Sequence, residues 1–233
     1  MKLSHLKYCA PIVLLSLTAC SAKLASIKVP ADLATQAPQA LTTDGEFWGL
    51  GMDGTFDLAG LYHGKYDREA SGSSYFGDFI SNDEGSMAAE VVNSQSQQRW
   101  LLNCAGENTS VNLGGLSFGG DSPYECDITS ADKNKVGNFI LKKSSGLIDF
   151  GPTGKVSGSL TLDGKRFEIE SIHDMEGSFI PSDQPLGYYI KKNGQTVAAI
   201  QVNGRITLQS DGADMDAYAI ATVASSLSVR PEE

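Results

Sequence analysis

The sequence predicts an all-β domain: mostly antiparallel short strands forming a barrel or closed sandwich, with one apolar C-terminal helix packed on or inside it. Three observations predict this. From residue 55 to residue 210, short alternating apolar and polar runs are punctuated by glycine. No helical periodicity lies between those runs, so there is no βαβ rhythm. The chain then closes on AYAIATVASSLSV, residues 217–229, which carry no charge at all.

In chain order, alternation predicts strands over 55–66, 74–80, 87–93, 99–104, 111–118, 124–128, 137–142 and 147–150. The cleanest unit follows, KVSGSLTL-DG-KRFEIESIH over 155–173. Both central residues of a type I′ turn need positive φ, and Asp163-Gly164 supplies them. A two-residue turn there pairs Leu160 with Phe167 and Gly158 with Ile169, leaving Ser159, Glu168, Thr161 and Arg166 on the other face. Apolar residues then collect on one side, which is what specifies a register. A second unit, YYIKK-NG-QTVAAIQV over 188–202, pairs Ile190 with Val197 by the same rule. Around Asn203-Gly204 a two-residue turn would oppose Ile200 to Thr207 and Val202 to Arg205, so a bulge or longer loop is expected. Counted together these make about a dozen strands, a number suited to a sandwich or barrel.

The closing helix is predicted over 214–228. Asp211, Asp214 and Asp216 precede it as N-cap and first-turn acids, and Arg230-Pro231 follow as a cation and a breaker. Met215, Tyr218, Ile220, Val223, Ala224 and Leu227 leave it no broad charged face, and its polar residues are only Thr222, Ser225, Ser226 and Ser228. Such a helix is buried somewhere. It is too short to span a bilayer, and burial against its own strands leaves no exposed apolar patch.

The N-terminus carries a different kind of signal. Lys2 and Lys7 precede an apolar run from Pro11 to Leu17, the pattern of a secretory signal over residues 1–19. The run ends Leu17-Thr18-Ala19-Cys20, which resembles the lipobox of bacterial lipoproteins. The resemblance implies cleavage before Cys20, attachment of a diacylglyceryl group and an N-acyl chain such as palmitate, and membrane attachment through those chains. Ser21 after the cysteine, by resemblance to sorted lipoproteins, implies the outer membrane of a Gram-negative bacterium, facing the periplasm. Residues 20–45 read as the lipidated cysteine and a flexible tether, because Ala, Ser, Thr, Gln and two prolines break any pattern. Fully extended, it would reach roughly 80 Å. Residues 46–230 then form the single domain.

Charge narrows the partners. The chain has 18 Lys and Arg against 28 Asp and Glu. Removing residues 1–19 takes Lys2 and Lys7 and no acid, leaving 16 against 28, or −12. Nucleic acid needs a basic face, and none is present in the composition. Cys9 leaves with the signal and Cys20 is acylated, so Cys104 and Cys126 remain as a pair in an oxidising compartment, and a disulfide between them is expected. A metal or redox pair would need CxxC spacing or a nearby His.

Hairpins followed by an apolar helix, LGYYIKKNGQTVAAIQVNG and then DMDAYAIATVASSL, resemble the tubby-like C-terminal fold of the LURP-one-related and scramblase-like proteins. The likeness covers residues 186–224. It implies a closed barrel of about twelve strands around a hydrophobic C-terminal helix. Some members bind phosphoinositides through basic residues. No matching basic cluster is found, so no family function is carried over.

Other motifs read as structure. Gly115-Leu116-Ser117-Phe118-Gly119 matches G-x-S-x-G, with His173 as the required base, but a nucleophile elbow needs a helix after it and GDSPYECDI follows. The Gly154-Lys155 pair lacks the glycine and the hydroxyl residue of a phosphate loop, since Asp149 and Val156 stand there. His63 shares a strand face with Asp57 and Lys65 and is expected to be exposed. His173, Asp174 and Glu176 could ligate a metal, but the ordinary reading is a solvated loop. Helix capping accounts for Asp211, Asp214 and Asp216 without calcium. Tyr62, Tyr66, Tyr75, Phe76, Phe79 and Trp100 read as core packing, with sugar or peptide stacking as the alternative. No catalytic residue, metal or cofactor is assigned. The leading expectation is a non-enzymatic lipoprotein with an envelope, scaffold or protein-binding role. A small-molecule or lipid-binding barrel is the first alternative and a hydrolase the second.

Overall fold

A computed structural model describes residues 25–44, 53–68, 87–105, 123–132, 134–143 and 155–227. Twelve strands close into one antiparallel barrel: β1 (Gln39–Thr43), β2 (Asp53–Leu58), β3 (Tyr62–Asp67), β4 (Met87–Asn93), β5 (Arg99–Ala105), β6 (Tyr124–Ser130), β7 (Lys135–Lys143), β8 (Val156–Leu162), β9 (Lys165–Ile172), β10 (Gly187–Lys192), β11 (Gln195–Gln201) and β12 (Thr207–Ser210). Each strand pairs with its neighbour in sequence, and β1 closes the ring on β12 through Gln39↔Leu208 and Ala40↔Thr207. Closure leaves no edge strand to template aggregation.

Alternation places the inner face. In β5, Trp100, Leu102 and Cys104 are buried while Arg99 and Ala105 are exposed, and in β9 Phe167 and Ile169 point inward between exposed Arg166, Glu168 and Glu170. The β8–β9 hairpin has the predicted register, with Leu160↔Phe167, Gly158↔Ile169, Thr161↔Arg166 and Ser159↔Glu168. The β10–β11 hairpin differs. Ile190 opposes Ala198, not Val197, because the register shifts between Ile190 and Lys191. The bulge lets Ile190 face the core beside buried Ala198 and Ile200 while Asn193-Gly194 keeps its tight turn. Around Asn203-Gly204 the loop is the longer one expected, since pairing resumes at Gln201↔Thr207.

The helix α2 (Met215–Ser226) runs inside the barrel, and every residue from Ala217 to Leu227 is buried. Side chains alone fill the interior of a barrel of about eight strands, and the diameter grows with strand number. Twelve strands leave a central space wide enough for a helix, and small residues let one fit there. Ala217, Ala219, Ala221 and Ala224 are buried in one core cluster with large wall side chains such as Trp100, Phe139, Phe167 and Tyr188. The Phe167 and Tyr218 rings meet edge to face, 5.9 Å apart.

The expected tether is corrected. Residues 25–44 are part of the folded domain, which therefore starts well before residue 46. Ile27 bridges Met175, a short helix α1 (Ala31–Ala34) packs outside β11 and β12, and β1 completes the barrel. Ile27 and Leu33 bury themselves with Ile172, Leu186 and Ala199 in a second cluster outside the wall. Each short piece contributes one apolar anchor (Ile27, Leu33, Leu41), too sparse for any period to show.

The two mouths of the barrel are unlike. Where α2 begins, the connections are short: 59–61, 94–98, 131–134, 163–164 and 193–194. Among the described residues the opposite mouth takes the longest connection, 173–186, and the one over 202–206.

Candidate functional site

The interior is the first place to seek a ligand in a barrel, and here α2 occupies it. The helix is tied at both ends. Asp214 stands at the N-cap position and Asp216 in the first turn, as predicted, but Asp214 makes no side-chain capping bond. Instead its carboxylate accepts from Lys165 Nζ and Lys192 Nζ, each at 2.6 Å, with only 6% of the side chain exposed. These bonds hold the Asp214 carboxyl below the usual carboxylate range, Lys165 contributing most. Asp211 accepts from the Tyr218 hydroxyl at 3.0 Å and from the Ala213 amide. Asp216 Oδ1 accepts from the Tyr62 hydroxyl at 2.7 Å and Asn93 Nδ2 at 2.9 Å. Burial, reinforced by the Asp216 carboxylate, pushes the Tyr62 phenol above its usual range, and burial with Asp211 does the same for Tyr218. Both Asp214 oxygens and one oxygen each of Asp211 and Asp216 are thus held by lysine, tyrosine or amide donors.

At the far end Arg68 is 5% exposed and donates from Nε to the Leu227 carbonyl at 2.8 Å, with its guanidinium 5.1 Å from the centre of the Tyr66 ring. A cation at a helix C-terminus satisfies free carbonyls and complements the dipole. The sequence reading looked for that cation at Arg230, which lies outside the described residues. Arg68 is distant in sequence, and no local pattern marks it.

Outside the wall, β1 to β5 carry a groove of about 590 Å³ lined by Phe56 and Val92 together with charged and polar side chains including Asp57, His63, Lys65, Glu90 and Arg99. His63 is exposed, as expected from its face, and its Nδ1 lies 3.0 Å from Ser94 Oγ. Charges of both signs interleave here, with Arg99 3.5 Å from Glu90.

The β9–β10 connection holds a feature that the sequence reading missed. His173 is buried, not solvated as expected. Its Nδ1 lies 2.9 Å from the Ser182 carbonyl, which can only accept, so Nδ1 carries the proton. Nε2 is then the acceptor for the Ser171 hydroxyl at 3.0 Å. Ser171 Oγ also accepts from the Val156 amide at 2.9 Å, and Ser182 N donates to the His173 carbonyl at 2.8 Å. A serine on a histidine resembles a nucleophile and its base. Here both groups are spent on the fold: Ser171 holds the start of β8, and His173 closes the base of the loop over 174–181.

Cys104 and Cys126 form the expected disulfide, across a directly opposed pair of β5 and β6. Tyr62, Tyr66 and Trp100 are buried, as core packing requires. Cys20, Tyr75, Phe76, Phe79 and the 115–119 glycine–serine motif lie outside the described residues. Among the described residues, no group of three or more His, Cys, Asp or Glu is placed to hold a metal, and no helix is long and apolar enough to cross a membrane. No family model, curated protein or solved structure matches the chain.

Proposed function

We propose that this chain is a lipid-anchored lipoprotein of the outer membrane, facing the periplasm, with a non-enzymatic scaffold or protein-binding role in the envelope. The observation that carries the non-enzymatic part is the filled interior. A small-molecule barrel needs an open cavity, and α2 occupies that space with residues that are fully buried from Tyr218 to Ala224. The polar side chains at both helix ends are committed to holding it. The outer wall offers a mixed-charge groove for recognition. The lipobox-like Leu17-Thr18-Ala19-Cys20 supports the anchor.

Two measurements test the reading. A clickable palmitate analogue fed to cells should label the protein, and Cys20→Ala should abolish the label and release the chain from the membrane fraction. A photoreactive residue at His63, within the outer groove, should cross-link a discrete envelope protein in intact cells. Membrane retention of Cys20→Ala would refute the anchor. Turnover in a broad ester and peptide screen, lost in Ser117→Ala or Ser171→Ala, would refute the non-enzymatic role.

A further inference from the structure

Among the described residues three large apolar side chains are exposed: Leu61 at 44%, Phe179 at 105% and Ile180 at 76%. Two of the three sit side by side at the tip of the β9–β10 loop, and that loop is a built element. His173 and Ser182 close its base with two hydrogen bonds. Gly177, at φ +75°, turns its tip, where an L side chain would be strained. Ser178 Oγ bonds the Ile180 amide and carbonyl at 3.1 and 3.0 Å. Nothing described in the chain covers Phe179, yet the loop is shaped to hold it out.

The same loop is clipped to the N-terminal segment. Ser26 O accepts from Glu176 N at 2.9 Å, Ile27 bridges Met175, and Lys28 N donates to Asp174 O at 3.0 Å. Asn203 Nδ2, from the neighbouring connection, donates to Ala25 O at 2.7 Å. Between Cys20 and Ala25 the chain can stretch at most about 18 Å, at about 3.6 Å per residue. Phe179 is four residues beyond Met175 and can stand at most about 14 Å from it by the same rule. Ala25 and the loop tip therefore share one mouth, and Cys20 is within about 18 Å of chain from it.

We propose that this loop dips Phe179 and Ile180 into the bilayer that holds Cys20, so that the barrel stands with its loop-bearing mouth on the membrane. The proposal rests on the lipid-anchor reading above. Adhesion is apolar rather than electrostatic, since Asp174, Glu176 and Asp183 flank the tip.

The test uses the full-length protein, purified from membranes and placed in vesicles of phosphatidylethanolamine and phosphatidylglycerol. Ile180→Cys is labelled with an environment-sensitive fluorophore. With Cys104 and Cys126 in their disulfide and Cys20 acylated, the new thiol is the only one in the mature chain. Ala131→Cys, exposed in the β6–β7 connection at the opposite mouth, is the control. Intact mass reports acylation of Cys20 separately. The proposal expects acyl mass, a blue shift at position 180, quenching there by nitroxides on upper acyl carbons, and neither effect at 131. Acyl mass with water-like emission at both positions overturns the membrane-dipping loop and leaves the anchor intact. Absence of acyl mass overturns the anchor and this proposal with it. A blue shift at position 180 that the lipid nitroxides leave unquenched overturns it in favour of contact with protein.

Discussion

Ending the chain after Ala213 removes α2 and should leave a polypeptide that does not fold. Tyr218, Ile220, Val223 and Leu227 are each fully buried within the barrel. At about 1.5–3 kcal/mol for each large apolar side chain taken from water, those four alone contribute about 6–12 kcal/mol. Whole domains are stable by about 5–15 kcal/mol. Deletion also bares Phe167 and Tyr124, which α2 now contacts. Because wholesale loss of folding can have many causes, a graded companion is needed. Ile220→Ala leaves the chain full length and should cost about 2–5 kcal/mol, the range for deleting a buried isoleucine side chain to alanine. Urea unfolding followed by far-UV circular dichroism measures it as a lower midpoint at unchanged slope. A chain ending at Ala213 that stays monomeric and melts cooperatively would refute the plugged barrel. So would an Ile220→Ala midpoint equal to wild type.

Further perturbations test the ties described above. Asp214→Asn should cost about 1–2 kcal/mol at neutral pH, since two lysine bonds to a side chain only 6% exposed are lost. It should also alter the acid limb. The folded-state Asp214 pKa is depressed, so its contribution is complete above about pH 4 and fades as pH falls through the folded value. Urea midpoints from pH 7 down to pH 2 should therefore fall less steeply in the variant. Arg68→Met, at the other end of α2, removes a buried charged donor from the Leu227 carbonyl and should cost about 1.5–3 kcal/mol by the same measurement. Replacing Cys104 and Cys126 together by alanine opens a loop of sequence separation 22 and should lower stability by about 3 kcal/mol, with wild type under reductant shifting equally. Gly158→Ala should destabilise β8 measurably, because a methyl there would stand 1.9 Å from the Ile140 carbonyl oxygen of the adjacent strand.

Some of this molecule was legible in residues close together along the chain. A type I′ turn ties Leu160 to Phe167 through local geometry, so Asp163-Gly164 was enough to predict that register. A run without charge must be buried, so the helix from Met215 to Ser226 could be read from its composition. Cys104 and Cys126, the two cysteines left once Cys9 and Cys20 are assigned to signal and anchor, were enough to predict their bond.

Contacts between distant segments were decided only when the barrel closed. The bulge after Ile190 answers to the core, not to the Asn193-Gly194 turn. Asp214 was read as a cap because caps are local, while Lys165 and Lys192 reach it only across the assembled mouth. His173 gained its buried role from Ser171 and Ser182 together, and Arg68 found the end of α2 across an interval of 159 positions. Residues 20–45 read as a tether because the buried anchors among them, Ile27, Leu33 and Leu41, are sparse. Periodicity detects repeated burial along one element, and it is blind to isolated side chains whose partners the fold supplies.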